Sequence, residues 1–231
     1  MRAQSLLEGV GVLFLNRRQH RAALVALCSA ASASPRGSSA WYGVGNALLM
    51  LSTENDAIRR LRLSLSCLLR ALEEDPDNRL AKELIEVIER RSPLTPEDRA
   101  SCGAFAEDPG EIPPRVGASV EDLVRAFVAL PAWQERMQVT MFVGEHGGPS
   151  LGPVLAAALK DAHGDVCMAA LKRLRRFATE PALQSVLTEL VRSGRARALE
   201  PYSSMALRPL AREAPWAARL LSDLSDDGAS P

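Results

Sequence analysis

The stretch WYGVGNALLMLSTENDAIRRLRLSLSCLLRALEEDP, Trp41 to Pro76, repeats Leu7 to Pro35 with one interruption. Trp41-x2-Val44-Gly45-x2-Leu48 lies 34 residues after Leu7-x2-Val10-Gly11-x2-Phe14. Each copy then carries a second apolar run that closes on proline: Ala23-x3-Leu27-x2-Ala30 before Pro35, and Ser64-x3-Leu68-x2-Ala71 before Pro76. The second copy is seven residues longer, and its surplus lies near Ser52-Thr53-Glu54-Asn55-Asp56. Either the loop between its helices is long or both helices are extended. The apolar spacing within each run is helical. Gly11 would cost about 1 kcal/mol relative to Ala in a helix interior, a loss that makes sense where a partner helix crosses closely.

A 34-residue period of two amphipathic helices, with large, small and proline positions in this order, resembles the tetratricopeptide (TPR) repeat. The resemblance covers residues 4–91 and implies helical hairpins stacked side by side, with a peptide groove along their first helices. The groove-facing candidates are then Ser5, Glu8, Val12 and Leu15 in the first copy, and Ser39, Tyr42, Asn46 and Leu49 in the second. Family members that grip a C-terminal carboxylate use Lys and Asn in such places. Glu8 and Val12 are wrong for that task, so an extended or helical peptide suits the groove better. After Pro76, Asp77 or Asn78 is placed to cap a helix over 79–91. That helix would bury Leu80, Leu84, Ile85 and Ile88 and turn Lys82, Glu83, Glu86, Glu89 and Arg90 outward, as a terminal repeat helix requires.

From Ser92 to Ser119 the pattern fails. Pro93, Pro96, Pro109, Pro113 and Pro114 exclude a long helix, and the acidic excess fits a solvated linker. Helical spacing returns with Val120, Leu123, Val124, Phe127 and Leu130, then with Trp133, Met137, Met141 and Phe142. Pro153 to Asp161, a turn at His163-Gly164-Asp165, and Val166 to Ala178 follow, with Asp165 placed as a cap. The pattern P-x-L-x-x-x-L-x-D, turn, D-V-x-x-x-A-L-x-x-L resembles a HEAT repeat. Trp133 and Val166, Met141 and Leu174, and Leu174 and Leu207 are each 33 apart, which makes three HEAT-like pairs over 119–213. The expected organisation is all-α: 1–91 a TPR-like domain with a capping helix, 92–118 a Pro/Gly-rich acidic linker, 119–225 a HEAT-like domain, and 226–231 a disordered tail.

Composition supports helices. Hydrophobic residues make up 47% and aromatics only 4%, with Leu, Ala and Val dominant, whereas sheets favour β-branched and aromatic side chains. The formal net charge is zero, so no global field steers the chain to nucleic acid or anionic lipid. Lys82, Lys160 and Lys172 are the only lysines, and this Arg-rich usage points to a GC-rich bacterial gene. Cys28, Cys67, Cys102 and Cys167 lack metal-knuckle or redox spacing and read as reduced thiols, which points to the cytoplasm. Glu8 interrupts the apolar run at 5–15 that resembles a signal core, and no run reaches membrane-spanning length.

Catalytic and ligand motifs are weak. Gly9-Val10-Gly11 and Gly43-Val44-Gly45 sit in helical repeats and not after strands, so they do not read as phosphate loops. His20, His146 and His163 are the three histidines. Glu145-His146 and Asp161-x-His163-x-Asp165 could meet around a divalent metal, but inter-helix turns use such residues as caps. No nucleophile motif accompanies them. No catalytic residue, metal or cofactor is expected. Arginines crowd the second half, among them Arg173, Arg176 and Arg195; Lys172, Arg173, Arg175 and Arg176 wrap around a helix and cannot all face one way. They read as a solvated face, an acidic-protein site or, less in keeping with the charge balance, a nucleic-acid site. The functional expectation is a non-enzymatic protein–protein adaptor or scaffold, in one version an immunity or chaperone-like protein. A nucleic-acid-binding HEAT-like module and a regulatory subunit of an enzyme are the alternatives. Candidate partner-binding residues are Glu8, Val12, Tyr42, Asn46, Leu49, Arg173, Arg176 and Arg195.

Overall fold

Helices that carry glycine where a neighbour's leucine must fit can approach closely, and the first three helices do so around one side chain. In the computed structural model, which describes residues 4–52, 57–91, 108–177 and 181–226, α1 (Gln4–Asn16), α2 (His20–Ala33), α3 (Ser38–Leu51), α4 (Ala57–Glu74) and α5 (Arg79–Arg91) follow in sequence, each packed on the next. A methyl group added at Gly11 of α1 would lie 2.4 Å from Leu27 of α2, and one at Gly43 of α3 would lie 2.7 Å from the same side chain. Leu27 is therefore seated between two glycine notches. In the second copy, a methyl at Gly45 would lie 2.7 Å from Leu68 of α4. Gly11 and Gly45 thus have the same relation to the leucine of the following helix, so the repeated pattern corresponds to a repeated packing.

The surplus in the second copy goes chiefly into helix. α4 has 18 residues where α2 has 14; residues 53–56 lie outside the described part. The longer α4 places Arg60 against the end of α3, where it donates to the Leu51 carbonyl at 2.6 Å while buried. The terminal carbonyls of a helix lack partners within it, and Ser52 Oγ satisfies that of Leu49 in the same turn. At the other end of the repeat, buried Trp41 donates its indole N–H to the Pro35 carbonyl at 2.7 Å. Asn78, and not Asp77, caps α5, its Oδ1 accepting from the Ala81 N–H at 3.0 Å. Its amide also reaches Ser38 Oγ, which donates to the Ala71 carbonyl.

On α5, Ala81 and Ile88 are fully buried, Leu84 and Ile85 are half-buried, and Leu80 is 54% exposed. Leu80, expected in the core, lies in the first turn at the edge of the buried face, about 80–100° round the helix from Ile88 and Ala81. α2 is buried nearly all round, with Ala22 to Cys28, Ala30 and Ala31 all inside. A helix apolar on every side needs neighbours on every side. The cover on its remaining flank is a 3-10 turn (Pro109–Glu111) and α6 (Ile112–Arg115), which bury Ile112 and Pro113. Arg21 adds a contact to the Gly117 carbonyl at 3.4 Å. Residues 108–118, expected in a solvated linker, are thus part of the packed structure; residues 92–107 lie outside the described part. The chain divides into two compact units at 126/127, within α7 (Val120–Val128). That boundary also divides the first expected HEAT-like pair.

In the second unit, α8 (Trp133–His146), a 3-10 turn (Pro149–Leu151), α9 (Gly152–Leu159), α10 (Gly164–Leu171), a 3-10 turn (Leu174–Phe177), α11 (Pro181–Arg192), α12 (Arg195–Ala198), α13 (Tyr202–Ala211) and α14 (Pro215–Asp226) follow in order. α9 packs on α10 and α11, and α10 packs on α8 and α13. α14 lies against both α11 and α13, so the last expected pair closes through a third helix. The helix expected over Val166 to Ala178 is broken, α10 giving way to a 3-10 turn carrying Leu174, whereas α11 covers the expected Pro181 to Val191 and is followed by Gly194, whose φ of 74° suits glycine. α8 buries Val139, Thr140, Val143 and Gly144, while Trp133, Met137, Met141 and Phe142 are only half-buried. Its buried face is therefore displaced from the expected one, and Arg173 lies across Gly144, where an added methyl would come within 2.4 Å of its Cδ. Among the described residues there is no strand, and no helix is long and apolar enough to cross a membrane.

The notches give a direct test. Gly45→Ala would press on Leu68 and also on the Ser64 backbone carbonyl at 3.1 Å, so α4 itself must shift and the buried Ser64 Oγ to Gly45 carbonyl bond of 2.7 Å is strained. We expect a loss of about 2 kcal/mol in urea unfolding. Gly9→Ala, with no neighbour within 4 Å, should raise stability by about 0.5–1 kcal/mol through helix propensity.

Candidate functional site

The first helices of the hairpins meet edge to edge. α1 packs on α3, and α3 on α5. Across these seams the Ser39 hydroxyl of α3 faces the Glu8 carboxyl of α1, and Tyr42 of α3 lies within the field of Glu83 of α5. Burial raises the Glu8 carboxyl above its usual range, and the Ser39 hydrogen bond opposes that rise. Burial and the Glu83 charge together raise the Tyr42 phenol. Asn46 is half-buried one turn beyond Tyr42, Val12 is 48% exposed one turn beyond Glu8, and Leu15 is half-buried. These helices therefore carry half-buried polar groups together with the exposed apolar side chains Val12 and Leu80. Arg79 pairs with Glu83 at 2.7 Å and moderates its charge.

Leu49 departs from expectation. It is 3% exposed and belongs to the core between α3 and α4; Met50, one residue on, is the exposed side chain of that turn. The side chain of Ser5 lies outside the described part. Leu80 was missed as a groove residue because its apolar character read as core. Helical phase could have shown it, since it stands three residues before Glu83 on the same side.

The second-unit arginines divide into internal ties and open cations. Arg136 is the most extensively bonded: it makes a two-pronged bond to Asp161 at 2.6 and 3.1 Å and donates to the Leu130 carbonyl at 2.7 Å. Burial raises the Asp161 carboxyl, but the bonds from Arg136 and the His163 N–H hold it below its ordinary value overall. Arg195 donates to the Asp161 carbonyl at 2.7 Å, Arg173 pairs with Glu145 and the Ala169 carbonyl, and Arg176 donates to the Glu145 carbonyl. Arg173 and Arg176 are therefore tied to helices α8 and α10 and Arg195 to the turn at Asp161, and half-buried Arg173 is the least exposed of the three.

The histidine-bearing turns are separately occupied. His163, and not Asp165, is the N-cap of α10, accepting the Asp165 N–H at 3.4 Å and stacking on Trp133 at 4.0 Å. Glu145 pairs with Arg173 and approaches His146 at 3.7 Å. Among the described residues no group of three His, Cys, Asp or Glu is arranged to hold a metal. Cys28, Cys67 and Cys167 are free and buried; burial pushes the Cys167 thiol up to about 11 and raises Cys28 and Cys67 further. Cys102 lies outside the described residues.

The class that these observations define is an all-helical protein whose helices pack against their neighbours, with α1 on α3 and α3 on α5 in the first unit. Comparison of the chain with protein-family models, with curated proteins and with solved structures found no match.

Proposed function

We propose that the chain is a non-enzymatic adaptor whose α1–α3–α5 groove holds a segment of another protein. The observation that carries this reading is the packing of α1 on α3 and of α3 on α5, which sets the half-buried Glu8, Tyr42 and Asn46 beside the exposed Val12 and Leu80. Exposed Val12 and Leu80 supply apolar anchorage beside hydrogen-bonding Asn46, the mixture that suits an extended or helical peptide. The shared packing of Gly11 and Gly45 supports the finer reading of residues 4–91 as TPR-like. The rows α8–α10–α13 and α9–α11 are compatible with HEAT-like stacking.

The test is capture from the native host with tagged wild-type protein and a Tyr42→Ala/Asn46→Ala variant. Both side chains are only half-buried, so the variant should keep its circular dichroism and lose the captured protein, with affinity at least about tenfold weaker on remeasurement with the purified partner. An unchanged affinity moves the site off the groove. Turnover of a substrate by the purified chain alone overturns the adaptor reading.

A further inference from the structure

We infer that the second unit carries a separate docking ridge for an acidic, amphipathic segment of a partner protein. α10 and the 3-10 turn after it both pack on α13, so basic side chains stand on neighbouring elements. Lys172 and Arg175 come from the first strip of chain, and Arg208 and Arg212 from the second; all four are exposed. Lys172 is held with its ammonium 4.6 Å from the Tyr202 ring centroid, which orders the cation without neutralising it. Arg175 has one loose contact, to Glu213 at 3.9 Å, between exposed side chains. Among the described residues no hydrogen bond or ion pair engages the side chains of Arg208 or Arg212. The chain as a whole is neutral, and on these elements the four cations stand against the carboxylate of Glu213, which Arg175 meets.

Apolar groups decide between classes of anionic partner. Met205 is 62% exposed, one turn before Arg208 on the stripe that ends at Arg212. Met168, half-buried, precedes Lys172 by one turn. Methionine between cations adds nothing to a phosphate backbone, but it matches the leucines of a helix whose acidic residues meet the arginines. The ridge therefore favours acidic protein over nucleic acid. It does not depend on the α1–α3–α5 groove.

The experiment titrates the full chain into a labelled synthetic helical peptide of Glu and Leu at about 50 mM salt, with a Glu-only peptide and a short DNA duplex in parallel. We expect the Glu/Leu peptide to bind best and to weaken as salt rises. Arg208→Glu/Arg212→Glu should cost about tenfold or more with unchanged circular dichroism, and Met205→Ser should weaken the Glu/Leu peptide alone. Absence of binding, or equal binding by the charge-reversed variant, overturns the proposal. So does tighter binding of the duplex, which would make the ridge a phosphate reader. Loss of the peptide in the Tyr42→Ala/Asn46→Ala variant would also overturn it by placing the peptide in the groove; an unchanged affinity there keeps the two sites distinct.

Discussion

Arg136→Met should destabilise the second unit by about 3–5 kcal/mol in chemical denaturation, the range seen when one member of a buried ion pair is removed. Asp161 is 6% exposed and relies on Arg136 for a two-pronged bond; the same guanidinium satisfies the Leu130 carbonyl. Removing Arg136 leaves a sunken carboxylate with the His163 N–H and little else. Arg136→Met/Asp161→Asn should therefore recover much of the loss, because a neutral amide tolerates burial better than an unpaired charge. The pH dependence gives a second readout. In the wild type the Asp161 carboxyl lies below its unfolded value, so its contribution is present above about pH 4 and is lost as pH falls through the folded pKa. Without Arg136, burial dominates and raises the folded pKa above the unfolded one. The carboxyl then favours folding at acid pH and loses that benefit as pH rises. The deficit of the variant should shrink on acidification from neutral pH toward about pH 4. A single-variant loss below about 1 kcal/mol, or a deficit independent of pH, would show that the tie is dispensable.

Leu27→Ala should cost the first unit about 3–4 kcal/mol, near the middle of the range for a buried leucine. The side chain is 1% exposed and has glycine notches on both sides. Three helices lose contact at once, since Leu27 belongs to α2 and faces α1 and α3. Gly11→Ala alone should also destabilise, by about 1–3 kcal/mol, because Leu27 cannot retreat from an added methyl without meeting Gly43. The informative comparison is the pair. In the Leu27→Ala background the methyl introduced by Gly11→Ala enters the vacated space and helix propensity is gained, so this second substitution should become neutral or stabilising. A double-mutant cycle with coupling of at least about 1 kcal/mol is expected. Additive losses would mean that Gly11 and Leu27 do not meet.

The repeated helices of the first unit were legible because their pattern had to serve packing twice. The Gly11/Leu27 and Gly45/Leu68 relations follow from one glycine placed against one leucine in each hairpin. The same arithmetic of spacing located the surplus in the second copy, but not its use. Arg60 reaching the Leu51 carbonyl is a contact nine residues apart, and only a folded α4 brings it there. The cover over α2 was hidden for a related reason. Prolines and acidic residues in 92–118 mark the absence of long helix, and a short turn such as Ile112–Arg115 needs no period to be packed. The clue that remained was α2 itself, too apolar on every side for a two-helix environment.

The outward face of α3 rests on a distinction that composition does not carry. Leu49 and Met50 are neighbours of similar hydrophobicity, and a rotation of about 100° between successive helical residues places one inside and the other outside. Leu80 misled in the opposite direction. The arginines of the second half were visible as a crowd, yet their destinations are inter-helix carbonyls and carboxylates up to 34 residues away.

By itself the amino-acid sequence determined the helical class, the order of the hairpins, and the small residues at their crossings, because apolar periodicity and glycine spacing are local properties of the chain. The tertiary structure alone decided which leucines face outward, which arginines are ties and which remain open, and where the compact units divide. Those outcomes depend on partners brought near by folding, and a charged or apolar side chain acquires its role from what stands opposite it.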